Sequence, residues 1–269
     1  MKCPNCLSEN TIKKGHLKNN KNSHPIKRYQ CKECSKTFTN NTSKDTFLQK
    51  RPDLNHKILV LYCEGNTLRG IARILKTTYK TVVRKFKFMA HKAREMHLKQ
   101  IDNKEIVTTY VQFDEMETFE TKKTRPLGIE LAIRAKTCEI LSARVCRIPM
   151  KAHSVSPRIK NEYKKVTNRK EGMTDMFLEV SKCLDADRST LVCDGLKENV
   201  TIASDICDES LIQSYSDDYG KLWKINHTCA KLRHHLSRLT RKTWATIKRM
   251  ERLQMHLDLF IAHQNGYIL

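Results

Sequence analysis

The sequence predicts a multidomain chain. A small cysteine-knuckled module occupies 1–50, an all-α segment 51–104, and an α/β domain 105–269, in which flanking helices cover a mixed sheet. Three observations lead there. Two Cys-x2-Cys knuckles sit in a front segment too polar to build a core. Two caps and three apolar helical stripes follow them. After residue 105 the chain alternates β-branched, strand-like runs with helix-like ones.

The chain has 269 residues, 39% of them hydrophobic, and a net charge of +22. Residues 1–104 hold 24 Lys+Arg against 7 Asp+Glu, whereas 105–269 hold 27 against 22. Such an imbalance favours a polyanionic partner, most commonly nucleic acid, gripped mainly by the front third. No apolar run follows MKCPNC as in an export signal, and ILVLYC at 58–63 is too short to span a bilayer. A non-exported, cytoplasmic protein without membrane contact is expected, so its 11 cysteines read as metal ligands and buried thiols rather than disulfides.

CPNC (Cys3, Cys6) and CKEC (Cys31, Cys34) are 24 residues apart, a spacing that can set four thiolates around one structural zinc. The metal would replace the missing core, contributing ~10–16 kcal/mol to folding. The loop between the knuckles, with Lys13, Lys14, Lys18, Lys21, Lys27, Arg28 and Tyr29, suits phosphate contact or simple solvation.

Leu54, Ile58, Leu61 and Tyr62 mark a first helix. Gly65-Asn66-Thr67 breaks it, and Asn66 or Thr67 caps a second with Leu68, Ile71, Ala72 and Leu75 on one side. Thr77 or Thr78 caps a third, with Val82, Phe86, Met89, Ala93 and Met96 inward and Lys80, Thr81, Arg84, Lys85 and Lys87 outward. This pattern predicts a helix-turn-helix whose basic face meets DNA.

Strands are predicted at 106–119, 127–135 and 139–149, an insertion or loop at 151–170, and a helix at 174–184. A short strand at 189–195, a helix around VTIASDI and a strand around SLIQSY follow. Two helices end the run: a carboxylate-free basic one over 224–243, and MERLQMHLDLFIAHQNG closed by Gly266. Asp114 lies inside the first strand and Asp194 ends the fourth. Charges there call for pairing or metal, and adjacent strands would bring the two to a shared divalent cation.

The order of these features resembles that of insertion-sequence transposases of the DDE type, closest to the insertion-sequence-one group. The resemblance covers nearly the whole chain. It rests on CPNC/CKEC, CDG at 193–195, the run Leu232–Thr243 and LFIAHQN at 259–265. It implies a zinc ribbon, a helix-turn-helix and a ribonuclease-H-like core. The core would hold magnesium (or manganese) on three acids and perform strand cleavage and transfer on double-stranded DNA. A prokaryotic, nucleoid-associated setting and at least a homodimer in the DNA complex come with it.

Carried over, Asp114 is the first acid and Asp194 the second. The third position holds Asn226, with Arg233 as the basic residue that follows; Lys231, on the same basic helix, is a further DNA-binding candidate. Asn226 would ligate by its carbonyl without supplying charge; Glu209 or Glu251 are the substitutes. Two alternatives remain: a DNA-binding protein without catalysis, and a ribonuclease-H-like nuclease that does not join strands. Glu115 is expected on the opposite strand face from Asp114. His227, His234 and His235 read as surface or DNA-facing, Cys138, Cys146, Cys183, Cys193 and Cys229 as small core residues, and Trp223 and Trp244 as core anchors.

Overall fold

The computed structural model describes residues 1–17, 25–105, 107–150, 156–185, 188–207, 212–214, 219–240 and 246–267. They form two compact units, Met1–Leu54 and Asn55–Leu269.

In the first unit β1 (Thr11–Leu17), β2 (Ile26–Cys31) and β3 (Thr37–Thr39) make an antiparallel sheet in that order. The expected basic loop is therefore a hairpin, with Lys13 and Lys14 on β1 and Lys27, Arg28 and Tyr29 on β2; Lys18 and Lys21 lie outside the described residues. The two knuckles fold alike. Leu7, after Cys6, has φ 60°, and Ser35, after Cys34, has φ 57°, so each chain reverses just past its second cysteine. The apolar interior amounts to Cys3, Cys31 and Phe38, with Tyr29 stacked on Phe38 at 5.8 Å. So small a core cannot offset the entropy of ordering about fifty residues.

The second unit opens with three helices: α1 (Leu54–Cys63), α2 (Leu68–Ile74) and α3 (Tyr79–Asp102). Thr67 caps α2, its Oγ1 accepting from Gly70 N at 3.0 Å, and Thr78 caps α3, accepting from Thr81 N at 3.2 Å. Those are the expected breaks. Along α3 the stripe Val82, Phe86, Met89, Ala93 is buried, and Lys80, Arg84 and Lys87 are exposed. Lys85 departs from expectation. It is buried, and its ammonium donates to Asn55 Oδ1 at 2.9 Å, because it lies three residues after Val82 and four before Met89, on the inward face. It cannot belong to an outer DNA-contacting face.

α3 runs on for 24 residues, well past the turn. Arg94 on it pairs with Glu179, which also takes Arg144 and accepts from Ser142 Oγ at 2.5 Å. Its last turn contributes Ile101 to the main core. Residues 55–104 thus share one packed body with the sheet.

That sheet has order β6-β5-β4-β7-β8. β4 (Tyr110–Phe119), β5 (Pro126–Arg134) and β6 (Ile140–Arg147) form an antiparallel meander. β7 (Thr190–Cys193) lies parallel to β4, and β8 (Ile212–Ser214) parallel to β7. One face packs on α5 (Arg169–Ser181) and α6 (Lys197–Ser204): Val111, Phe113 and Leu191 meet Met173, Met176, Phe177 and Ile202. Gly172 lets α5 approach closely, since a Cβ there would stand 2.7 Å from Cys146 Cβ. α7 (Trp223–His235) and α8 (Met250–Gln264) cover β4, β5 and β6.

The outer edge of β6 is dressed by side chains. Asn265 Oδ1 accepts from Ile140 N at 3.1 Å and its Nδ2 donates to Ile140 O at 2.9 Å. Gln254 treats Val145 N (2.9 Å) and Ala143 O (2.9 Å) likewise, and His97 Nε2 meets Leu141 O at 2.8 Å. These groups supply the partners that a further strand would otherwise bring.

Three expectations change. Residues 157–164 form a helix, α4, not a loop; Pro157 sits in its first turn, where a missing N–H costs nothing. α5 begins at Arg169 rather than Thr174. The basic helix ends at His235 instead of Thr243. Leu236 turns extended, and Thr240 Oγ1 takes up the free Arg233 carbonyl at 3.2 Å. Residues 241–245, including Trp244, lie outside the described residues.

Candidate functional site

Strand alternation sends Val111, Phe113 and Glu115 to the α5 side of the sheet, and Gln112 and Asp114 to the α7 side. The pairing of β4 with β7 runs Tyr110↔Thr190, Val111↔Leu191, Gln112↔Val192. The pairing stops there; the same offset continued by two residues matches Asp114 with Asp194, the residue just past the end of β7. Neighbouring strands lie about 4.8 Å apart. Burial, helped by the Asp194 and Glu115 charges and opposed by the Glu115 N–H and Arg233, pushes the Asp114 carboxyl up to about 6.

α7 is fastened to this face by Gln112, itself buried. Its Oε1 accepts from Ile225 N at 3.0 Å and its Nε2 donates to Lys221 O at 2.6 Å. Ile225, Thr228, Cys229 and Leu232 then turn toward the sheet. Cys229 feels both Asp114 and Arg233, and burial pushes its thiol up to about 12. Arg233, one turn further on, is half-buried. Asp114, Asp194 and Arg233 therefore share one neighbourhood, with Cys229 as apolar floor.

Asn226 and His227 are exposed on α7, one turn before Cys229, and Lys231 is half-buried. Trp223 is not a core anchor. It is 57% exposed at the first position of α7, before the buried stripe begins, and Lys224 lies over its ring at 5.4 Å. Glu251 follows Met250, whose N–H donates to Glu120 Oε1; six residues, about 20 Å along an extended strand, separate Glu120 from Asp114. Glu209 lies outside the described residues. Among the described residues no third carboxylate or imidazole joins the two aspartates in a metal-holding group.

Each aspartate spends one oxygen on the protein. Asp114 Oδ1 accepts from Glu115 N at 2.7 Å; Asp194 Oδ1 accepts from Leu196 N at 3.2 Å and Asn199 Nδ2 at 3.4 Å. Two hard oxygen donors side by side, one of them desolvated, fit a hard divalent cation, which would relieve their repulsion.

Behind the sheet, Arg169 joins the supports of both aspartates. Its Nε donates to Glu115 at 2.6 Å, one NH group to Glu198 at 2.6 Å and the other to Asn199 Oδ1 at 2.6 Å. Asn199 in turn holds Asp194. Glu130 stands 3.7 Å from the same guanidinium, and burial together with the Glu115 charge pushes it up to about 8. Glu115 is on the face opposite Asp114, as alternation predicted. The sequence offered no hint of Arg169, which fell in an expected loop. Gln112 did carry a signal: a polar residue on the inward face of an apolar strand.

In the first unit the four Sγ atoms of Cys3, Cys6, Cys31 and Cys34 lie within 4.8 Å of one another, Cys3 to Cys34 at 3.6 Å and Cys6 to Cys31 at 3.5 Å. Four thiolates ~2.3 Å from a zinc sit about 3.8 Å apart at the corners of a tetrahedron. The group could hold a structural zinc.

No protein-family model matches the chain, and no curated protein matches it. Among the described residues no helix is long and apolar enough to cross a membrane.

Proposed function

We propose that the chain is a DNA transposase of the DDE type, in a variant with Asn at the third position. It would bind the terminal inverted repeats of its own insertion sequence and carry out metal-dependent strand cleavage and strand transfer. The observation that carries this reading is Asp114 on β4 and Asp194 just past the end of the neighbouring parallel strand β7, close enough for the Asp194 charge to act on Asp114. They lie mid-sheet, beside a basic helix. A meander of three strands followed by two parallel ones supports a ribonuclease-H-like core. The capped α2–α3 pair, with Lys80, Arg84 and Lys87 outward and Thr81 in the first turn, supports a helix-turn-helix reader of duplex DNA. The cysteine cluster supports a zinc ribbon.

Magnesium, when bound, would activate the attacking oxygen and stabilise the departing one. Asp114 and Asp194 would hold it by their second oxygens, and Asn226 by its amide carbonyl. Arg233 would take the scissile phosphate. Gln112 fixes the start of α7, and Arg169 with Asn199 keeps Asp194 at the strand end.

The test uses labelled duplex carrying the element's ends, with magnesium. Nicking and joining that Asp114→Asn and Asp194→Asn each abolish support the reading. Binding without nicking would leave a DNA-binding protein that has no catalysis, the rival that Asn226 favours by supplying no charge. Nicking without joining would leave a nuclease. Asn226→Glu should keep or raise magnesium affinity, and an unchanged magnesium dependence would remove Asn226 from the metal.

A further inference from the structure

A second feature of the Asn55–Leu269 unit lies outside the aspartate site. A cavity of about 500 Å3 opens between the α2–α3 turn and the start of α8. Its cations are Arg69, Arg73, Arg238, Lys248, Arg249 and Arg252, and no carboxylate lines it among the described residues. Arg69, Arg73, Arg249 and Arg252 have no ion pair there either. Six like charges around one hollow repel one another, so the arrangement costs stability unless an anion occupies it. Sequence reading had assigned Arg69, Arg73, Arg249 and Arg252 nothing and had put Arg238 on the basic helix; only the fold brings them together.

The cavity also has aromatic walls. Tyr79 is 41% exposed, with the Arg69 guanidinium over its ring at 5.6 Å, and Phe86 and His256 close the floor. His256 stacks on Tyr62 at 5.2 Å and is bonded to its hydroxyl, which makes the floor rigid. Cations at the rim, a partly exposed aromatic ring on one wall and a rigid uncharged floor are the ingredients that hold a phosphate and a base at once. The volume suits a small ligand and excludes a duplex.

We propose that this cavity binds a single nucleotide unit, its phosphate on the arginine rim and its base against Tyr79. The unit is either an unpaired nucleotide of a DNA strand or a free nucleotide. The first source rests on the DNA-processing reading above; the second does not.

The experiment uses the zinc-loaded full chain and three probes: a blunt duplex, the same duplex with a three-nucleotide tail containing 2-aminopurine, and a fluorescent nucleoside triphosphate. If the source is DNA, the tailed duplex binds about tenfold tighter than the blunt one and the 2-aminopurine emission changes. If the source is free, the triphosphate binds and the tail adds nothing. Arg249→Gln with Arg252→Gln should remove either signal, while Tyr79→Ala weakens it about tenfold and Tyr79→Phe restores it. The proposal is overturned if the unsubstituted protein shows neither signal, a result that needs no variant to fold. It is overturned equally if the signal survives the double substitution. Magnesium-dependent nicking of the blunt duplex, run alongside, reports on the aspartate site alone. Its loss would sink the transposase reading and leave the cavity proposal standing on the triphosphate arm.

Discussion

Replacing Asp114 by Asn should make the protein more stable while removing the proposed strand cleavage. Raising a carboxyl from its ordinary 3.8 to about 6 costs roughly 3 kcal/mol once the group is ionised. Asn keeps the size of the side chain and an oxygen for Glu115 N, but carries no charge into the desolvated site. Allowing for the poorer partners of the amide, a gain of about 1–3 kcal/mol at pH 7.5 is expected, or roughly 2–8 °C in Tm. The sign follows from proton binding. The folded carboxyl holds its proton to higher pH than the unfolded one, so the penalty is absent below 3.8, grows up to about 6, and is complete above it. The advantage of the variant should therefore shrink as pH falls toward 4. Magnesium should narrow it as well, since only the unsubstituted site gains from the ion: at ten times the Kd that gain is about 1.4 kcal/mol. Urea unfolding at pH 7.5 and 4.5, with and without magnesium, measures all of this. A variant less stable at pH 7.5, or a difference indifferent to pH, would refute the idea that Asp114 is held there against its own solvation.

Arg169→Gln should cost about 3–5 kcal/mol by urea denaturation, because Glu115 loses its buried cation and Asn199 its donor; a cost under 1 kcal/mol would contradict the network. Cys31→Ser should lower bound zinc from about one per chain to none by atomic absorption and unfold the β1–β3 sheet; retained metal would point elsewhere. Burial, with Arg238 and Arg252 nearby, holds His256 down to about 3. Unfolded, it would take its proton near 6.5, so stability should fall by about 2 kcal/mol between pH 7.5 and pH 5. His256→Phe should remove that part of the slope, and a His256 ring that titrates above pH 5 by NMR would defeat the argument.

Much of the architecture was legible because local rules and tertiary packing agreed. Thr67 and Thr78 cap where a hydroxyl before an apolar stripe should, and β4, β5 and β6 are as β-branched as their burial demands. The two aspartates stood out as charges on strands. What was not legible came from packing between distant segments. Lys85 sits among outward-looking neighbours in the sequence, yet Asn55 gives it a buried partner. Trp223 reads as core by its type and is exposed by its position ahead of the stripe. The end of α7 depends on Thr240 reaching back to a carbonyl, which no terminating Gly or Pro announces. Arg169 is one basic residue in a basic stretch; only the fold surrounds it with Glu115, Glu198 and Asn199.

The amides of Gln254 and Asn265 do more than finish a helix. By occupying the hydrogen-bonding rim of β6 from Ile140 to Val145, they close that border to any incoming peptide. A second copy of the protein cannot continue the sheet there, and neither can a misfolded neighbour. Assembly on nucleic acid would have to use other surfaces, and this edge strand is shielded against runaway stacking by side chains of its own molecule.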